Sequence, residues 1–562
     1  MSSDTLMPRQ APASGAGTAG GGRAGPVRSY GSYVGGRDIV GDQWVYTVSS
    51  RSLLEDVFTS VSLKRALEQD PHGPAAEHRY VVGRCAVADD AVVDEALVAA
   101  SNAAARWGRA PVDHRMRLGP MFRDSLIRHR DTILDLLVAE AHPVRLARWE
   151  LSCLLQVFSA ESCSWYRQLM ETEFESGGRR LIVRRRADGV VCVNPPQNAP
   201  APSAALSVLA LMAGNAVVVR APRSIALSTM YILRELVGPL LDELGAPPGT
   251  VNGLCGTPQR MIRRWLDSPL VNDIFYFGGS DEGLRFQLDC VASGKKPILE
   301  LAGNDGLVVW ADADLDMAAE AITECFYGSG QICMVPNYVV AHPAVADELL
   351  AKVQQAVRDV RPGYPDDEDV LLSPVRRSER FFALLSDALN NGGRLVCGGQ
   401  RTELDGTPSD TGVFLQPTVV RVDGLTGARD LAIVGQETFF PLLPVVVPEP
   451  AAEPVLLDRV LDFVDANTYG LRNSLWSRSE QVIDEFVGRV GNGGLLKVND
   501  SHIGFLPYLP SHGGTGLTGG VFGEANYPIV KTSHLQGVSI AAPGVSPRAA
   551  VFDSGDPSVP NP

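Results

Sequence analysis

Between residues 189 and 300 the chain alternates short apolar runs, at 190–194, 216–219 and 273–277, with longer segments of helical spacing at 204–213 and 224–244. Runs rich in valine and aromatic residues, with no polar residue at every second position, need cover on both faces, and the intervening helices supply it. The segment is predicted to form a parallel, doubly wound α/β sheet of Rossmann type. Ser224 stands where an N-cap would, Met230, Leu233, Val237, Leu240 and Leu244 follow along one face, and Gly245 with Pro247-Pro248 stops the helix. Tyr276-Phe277 then turns through Gly278-Gly279 into a helix containing Gly283, a place where backbone N–H groups can meet an anion such as a pyrophosphate. The strict GxGxxG fingerprint is absent, so the position of this turn is a stronger pointer than its spelling.

A second α/β unit follows Glu300. A strand at 307–310 and a helix at 315–327 lead to Cys333. Helices near 344–360 and 378–390 and strands at 418–422 and 443–447 fill out the unit, and 497–499 returns a strand toward the cysteine. Ahead of both units, strand-like pieces from 33 to about 60 give way to helices at 90–107, 113–130, 132–141 and 145–170. The arginine-rich run 177–186 reads as an exposed strand. Residues 1–27 and 541–562, rich in small residues and proline, are expected to be unstructured.

Two polar positions lie where these elements open. Glu300 ends the apolar run Pro297-Ile298-Leu299, and Cys333 follows Gly328-Ser329-Gly330-Gln331-Ile332, a glycine-bracketed turn after a helix. A lone cysteine is more commonly a packed apolar residue, and a lone glutamate a solvated charge; their setting is what points to chemistry. A thiolate is a nucleophile, backbone N–H groups at such a turn stabilise both it and the oxyanion it creates, and a nearby carboxylate can activate water. Asn198, held between Pro196 and Pro200, adds a side-chain N–H donor. Other properties narrow the partners. At a formal charge of −15, nucleic acid or an anionic membrane would repel the chain. Nine cysteines, without paired or metal-ligand spacing, fit a reducing, cytoplasmic setting and require no metal. The longest apolar run, 204–219, is interrupted by Ser207 and Gly214-Asn215, so no membrane span is expected, and no signal-peptide core is visible. Small molecules and further copies of the chain remain as partners.

Glu300-Leu301-Ala302-Gly303, Gly330-Gln331-Ile332-Cys333, Pro196-Gln197-Asn198-Ala199-Pro200, Gln436-Glu437-Thr438-Phe439 and Asn467-Thr468-Tyr469-Gly470-Leu471 together resemble motifs of the aldehyde dehydrogenase superfamily, in its NAD(P)-dependent, non-acylating type. The likeness runs from about residue 30 to 540, and the combination is specific where no single motif is. The resemblance implies an aldehyde-dehydrogenase-like fold. A Rossmann-type cofactor domain would span 28–170 and 188–302, a second α/β catalytic domain 303–526, and a small β arm 171–187 and 527–540. In the family that arm builds oligomers, here a homodimer or homotetramer; a charged edge strand is the other reading of it. The implied reaction oxidises an aldehyde to the carboxylic acid with NAD or NADP, through a thiohemiacetal and a thioester on Cys333. Asn198 and the Cys333 N–H would hold the oxyanion, and Glu300 would activate the hydrolytic water. Glu437 would hold the nicotinamide ribose with Phe439 beside it, and Gly278, Gly279, Gly283 and Leu301 would lie along the cofactor. Coenzyme-A-acylating relatives generally lack the glutamate, so Glu300 favours release to water. An acylating enzyme and a non-catalytic member of the fold are the alternatives.

The spelling departs from the family at several positions. Gln197 stands where tryptophan is frequent, Ala199 where a larger or aromatic residue is, and Phe440 where glycine is common; the late turn Pro510-Ser511-His512-Gly513-Gly514 lacks its usual aromatic. With Ala199 and the non-aromatic Leu206, the expected pocket is roomy and suits bulky aldehydes, unless a loop such as 505–508 fills it. Arg220 and Arg223 replace a lysine and a glutamate near the adenosine ribose. A carboxylate there would repel a 2′-phosphate and a guanidinium would bind it, so NADP is expected to be accepted at least as well as NAD. The other reading has Arg220 standing in for the lysine, and Arg223 in solvent beside an acidic neighbour.

Overall fold

A computed structural model describes residues 27–506, 508–509, 513–523 and 528–552. Two seven-stranded sheets form its centre. In the first, Lys296–Glu300, Asp273–Phe277, Val190–Asn194, Ala216–Pro222 and Val251–Gly256 run parallel in that spatial order, and Ser32–Val34 and Arg37–Ile39 add an antiparallel edge. The two-residue period of a strand divides its apolar run between two cores. Val190, Cys192, Ala216 and Val218 pack with the helix Asp90–Trp107, while Val191, Val193, Val217 and Val219 pack with Pro200–Ala213. The strand Val251–Gly256 was not foreseen because it reads Val-Asn-Gly-Leu-Cys-Gly. Its buried Asn252 donates to the carbonyls of Val217 (3.2 Å) and Gly249 (2.7 Å), and a Cβ on Gly256 would meet Met261 Cε at 2.5 Å.

The second sheet runs Arg394–Cys397, Thr418–Asp423, Leu442–Val447, Pro336–Ala341, Asp305–Val309, Arg472–Trp476, Leu495–Val498, all parallel except the first pair. The strands on either side of Asp305–Val309 were likewise missed. Buried polar residues, Asn337 in one and Arg472, Asn473 and Ser474 in the other, break their apolar pattern.

Glu171–Ser176, Arg179–Ala187 and Ser533–Ala541 form a separate three-stranded antiparallel sheet. Its register puts Phe174, Leu181, Val183 and Leu535 on one face, and Phe174, Val183 and Leu535 are exposed there.

Several local expectations are corrected. Ser224 caps nothing: the helix starts at Leu227, and the N–H groups of Leu227 (2.7 Å) and Ser228 (3.3 Å) donate to the carboxylate of Glu140 instead. That segment also widens into a π-helix at Ile232–Val237. Residues 145–170 are two helices, Val144–Val157 and Ala160–Met170, because Ser159 accepts from the Ser162 N–H and starts the second. Residues 113–130 divide at Arg117 into Val112–Met116 and Leu118–Arg128. Helices Ser50–Glu55 and Val57–Gln69 replace the strand pieces expected up to residue 60, and Pro547–Phe552 is helical where a structureless tail was expected. Expectations for residues 1–26, 510–512 and 553–562 lie outside the described residues. No helix among the described residues is long and apolar enough to cross a membrane.

Candidate active site

The helix Leu315–Thr323, capped by Asp314, ends four residues before the sequence pattern suggests, and the chain tightens into a 3₁₀ turn. It leaves helical geometry at Tyr327 and passes through Gly328, Ser329 and Gly330 with φ of 60°, 59° and 70°. Gly330 has a second reason to be glycine, since a Cβ would lie 2.3 Å from the Phe440 carbonyl oxygen. Ser329, the non-glycine residue of the three, is tied down by donating to the Ser373 carbonyl (2.6 Å) and accepting from the Ser373 N–H (3.0 Å). Cys333 leaves this turn facing the end of Lys296–Glu300. There the Gly278 N–H donates to the Glu300 carbonyl (3.2 Å), and the Leu301 N–H donates to the Thr518 carbonyl (3.0 Å). Gly303 lies against the Cys333 carbonyl, which a Cβ would meet at 2.6 Å. Asn467 donates to the Asn304 carbonyl (2.6 Å) and Asn304 to that of Val434 (3.0 Å), so the Asn467-Thr468-Tyr469 motif anchors the loop between the two sheets.

A cavity of about 410 Å³ brings together Asn198, Glu300 and Cys333, and its wall continues through Leu301, Gly278 and Gly279 to Glu437 and Phe439. The Cys333 Sγ is 3.8 Å from Glu300 Oε1. Asn198 Nδ2 donates to the Gln331 carbonyl (3.0 Å), aiming this amide at the cysteine loop, and His142 Nε2 lies 2.9 Å from the Asn198 carbonyl. Glu437 Oε1 accepts from the Gly303 N–H (3.2 Å). Phe439 holds φ at 59°, a costly conformation for a bulky residue, at the cavity wall. Trp149, Leu154, Val157, Leu206, Phe277 and Phe505 also line the cavity, so the aromatic surface missing at 199 and 206 comes from elsewhere in the chain.

Burial governs the charges. It pushes the Glu300 carboxyl up to about 8, against the Arg472 cation and the hydrogen bond from Cys333. Glu437 rises to about 7 by burial, against the Gly303 N–H and Arg380. The Cys333 thiol is pushed well up by burial and then by the carboxylates of Glu300 and Glu437, with Arg472 opposing.

The remaining predicted residues fare differently from one another. Gly279 leaves open space for a ligand, since a Cβ there would meet nothing within 4 Å, and it precedes a helix, Ser280–Ala292, that has no side-chain cap. Gly283 is a packing residue: its Cβ would meet Leu301 Cδ2 at 2.2 Å, so its absence lets that helix lie on Leu301. Arg220 is buried, and its donors reach Asn194 Oδ1 (2.6 Å) and the carbonyls of Pro195 (2.9 Å) and Gly256 (3.3 Å), tying the ends of three neighbouring strands. Arg223 is exposed just past the end of its strand, and among the described residues no carboxylate pairs with it. Open backbone at a helix start, strand C-termini at the sheet edge and the Glu437 carboxylate in the wall together fit a dinucleotide. His142, Trp149 and Arg472 were missed; Arg472 heads a strand whose next two residues, Asn473 and Ser474, are also polar, so no local pattern marked it.

Comparison with known proteins shows the family of the chain. The profile of the Aldehyde dehydrogenase family matches residues 68–532. The 3,6-anhydro-alpha-L-galactose dehydrogenase of Streptomyces coelicolor is 30% identical over 394 residues, covering 69% of this chain and 76% of that protein. The vanillin dehydrogenase of Corynebacterium glutamicum is 28% identical over 439 residues, covering 76% and 86%. Among solved structures, an NAD-dependent aldehyde dehydrogenase from Sinorhizobium meliloti superimposes with a TM-score of 0.75 at 22% identity, over 92% of this chain and 96% of that one. The chain therefore belongs to the aldehyde dehydrogenase family and is an NAD(P)-dependent oxidoreductase that oxidises aldehydes to acids.

Proposed function

We propose that Cys333 is the nucleophile, that Asn198 and the Cys333 N–H hold the oxyanion, and that Glu300 is the base that hydrolyses the thioester. The observation that carries this reading is the 3.8 Å approach of Cys333 Sγ to Glu300 Oε1 in a cavity that Asn198 also lines. Attack of the thiolate on the aldehyde carbon forms the C–S bond and moves the carbonyl electrons onto oxygen, where the two N–H donors meet them. The nicotinamide, when bound, supplies the hydride acceptor that oxidises the carbon to the acyl level. Glu300 then takes a proton from water as it attacks the thioester, the C–S bond breaks, and the acid leaves with Cys333 restored. Glu437 would hold the nicotinamide ribose and Phe439 would pack beside it, both residues lining the same cavity.

The substrate is a bulky aldehyde. The apolar and aromatic wall of Trp149, Phe277 and Phe505 supports this, as does the size of the compounds named for the two similar enzymes. NADP is the preferred cofactor, read by Arg223 alone, since the donors of Arg220 are used inside the protein. The chain assembles as a homodimer or homotetramer through the apolar face of its arm. It works in a reducing, cytoplasmic compartment, in keeping with its nine free cysteines.

An aldehyde panel with NAD and NADP, with and without coenzyme A, tests the reaction. Acid should form without coenzyme A, and Cys333→Ala should abolish turnover while retaining nucleotide binding. Turnover by that variant, or an absolute need for coenzyme A, would overturn the reading. For the cofactor, a charge-assisted contact contributes about 1.5–3 kcal/mol, so kcat/KM should favour NADP by about tenfold or more. Arg223→Glu should reverse that ratio; an unchanged ratio means this arginine does not read the phosphate.

A further inference from the structure

Beneath the cysteine loop lies a charge that the reaction as described does not use. Arg472 opens the strand Arg472–Trp476, directly after the Asn467–Leu471 motif, and is only 2% exposed. Its Nη2 donates to Met334 Sδ (3.0 Å), on the residue next to Cys333, and its Nη1 donates to the His502 carbonyl (2.7 Å). Its backbone N–H reaches Asp305 Oδ1 (3.4 Å). Burying a guanidinium is costly, and the site carries reasons for one. Glu300, Asp305, Glu324 and Glu437 converge on this region, and a thiolate forming at Cys333 would add another negative charge. Arg472 is the cation acting on Cys333, Glu300, Asp305 and Cys153 alike. Of the neighbouring basic groups, Lys497 acts on Glu324 and His502 is held by hydrogen bonds. Lys497 donates to the carbonyls of Ser501 and Gly504 (both 2.6 Å), and His502 is enclosed between Ser474 Oγ (2.6 Å) and Asp305 Oδ2 (3.4 Å).

We propose that Arg472 is a positioning residue for the nucleophile: by holding Met334 it fixes the cysteine loop, and its buried charge is the counter-ion against which the Cys333 thiolate forms. The inference rests on Cys333 as nucleophile, so the first readout is the thiol itself, independent of turnover, and kcat is the second. In the full-length enzyme, alkylation of Cys333 by iodoacetamide is followed by peptide mass across pH, in wild type, Arg472→Met and Arg472→Lys. The rate tracks the thiolate fraction. Arg472→Met should move the midpoint upward by about one pH unit or more, slowing alkylation at pH 7.5 about tenfold or more. Arg472→Lys, which keeps the charge but loses the forked donors, should keep the midpoint within about half a unit and lose kcat. A folded Arg472→Met enzyme with the wild-type profile would overturn the inference. Should that variant fail to fold, Arg472→Lys carries the test through Met334→Leu, which removes the thioether acceptor. Both should then lower kcat with the midpoint kept, and wild-type kcat in both would overturn the positioning role. A wild-type Cys333 that resists alkylation at every pH would instead overturn its assignment as nucleophile.

Discussion

At the end of Lys296–Glu300 the Glu300 carboxyl has a buried cation and a thiol as neighbours, yet burial dominates and raises it to about 8, so the group holds a proton through the neutral range. A base must be deprotonated to act, so thioester hydrolysis should accelerate as pH rises through about 8 and level off above. Glu300→Gln should lose about 10²–10⁴-fold in hydrolysis and accumulate an acyl adduct on Cys333 visible by intact mass; no adduct under single-turnover conditions would count against the assignment. The same proton is linked to stability. Between the ordinary carboxyl value of 4.5 and about 8 the folded chain keeps a proton that the unfolded chain has released, so stability falls as pH rises through that window. The unfolding midpoint should therefore drop less in Glu300→Gln than in wild type between those limits. The sequence singles out Cys333, Glu300 and Asn198, which line one cavity, through local signals: a strand end, a glycine turn and two flanking prolines. The value near 8 has no such signal, because it comes from everything packed around the carboxyl.

The helix that follows Ala216–Pro222 shows the same division at the scale of an element. Its apolar face was readable from the spacing of Met230, Leu233, Val237 and Leu240, all of them buried. Its start was misplaced, because Ser224 looks like a cap while Glu140, 87 positions from Leu227, performs the capping. Glu140 also accepts from the Ser228 hydroxyl, and it sits wholly buried. Truncation to alanine strands the N–H groups of Leu227 and Ser228, and each buried donor left unmet costs about 1–3 kcal/mol. Denaturant unfolding should therefore show a marked loss of stability for Glu140→Ala and next to none for Ser224→Ala; the reverse order would restore the serine as the cap.

At the scale of the whole molecule, the strand Ser533–Ala541 pairs with Arg179–Ala187 along its full length and so joins the C-terminal part of the chain to the arm. Phe174, Val183 and Leu535 stand exposed on one face of that sheet, and apolar side chains at such positions gain by meeting a second copy. Val183→Glu combined with Leu535→Glu should reduce the mass measured by light scattering to that of a smaller assembly; an unchanged oligomer would place the interface elsewhere. The sequence by itself determined the doubly wound sheet, the second α/β unit, the cysteine turn and the family, because hydrophobic period, turn residues and short motifs act over a few neighbouring positions. Tertiary structure alone decided that Asn252 lies in a central strand, that Arg220 turns inward, that Glu140 caps a distant helix and that Arg472 lies buried beneath the Cys333 loop. Each of these is a polar group taken out of water. Its energy depends on which partners the folded chain brings to it from far along the sequence, and no local pattern carries that information.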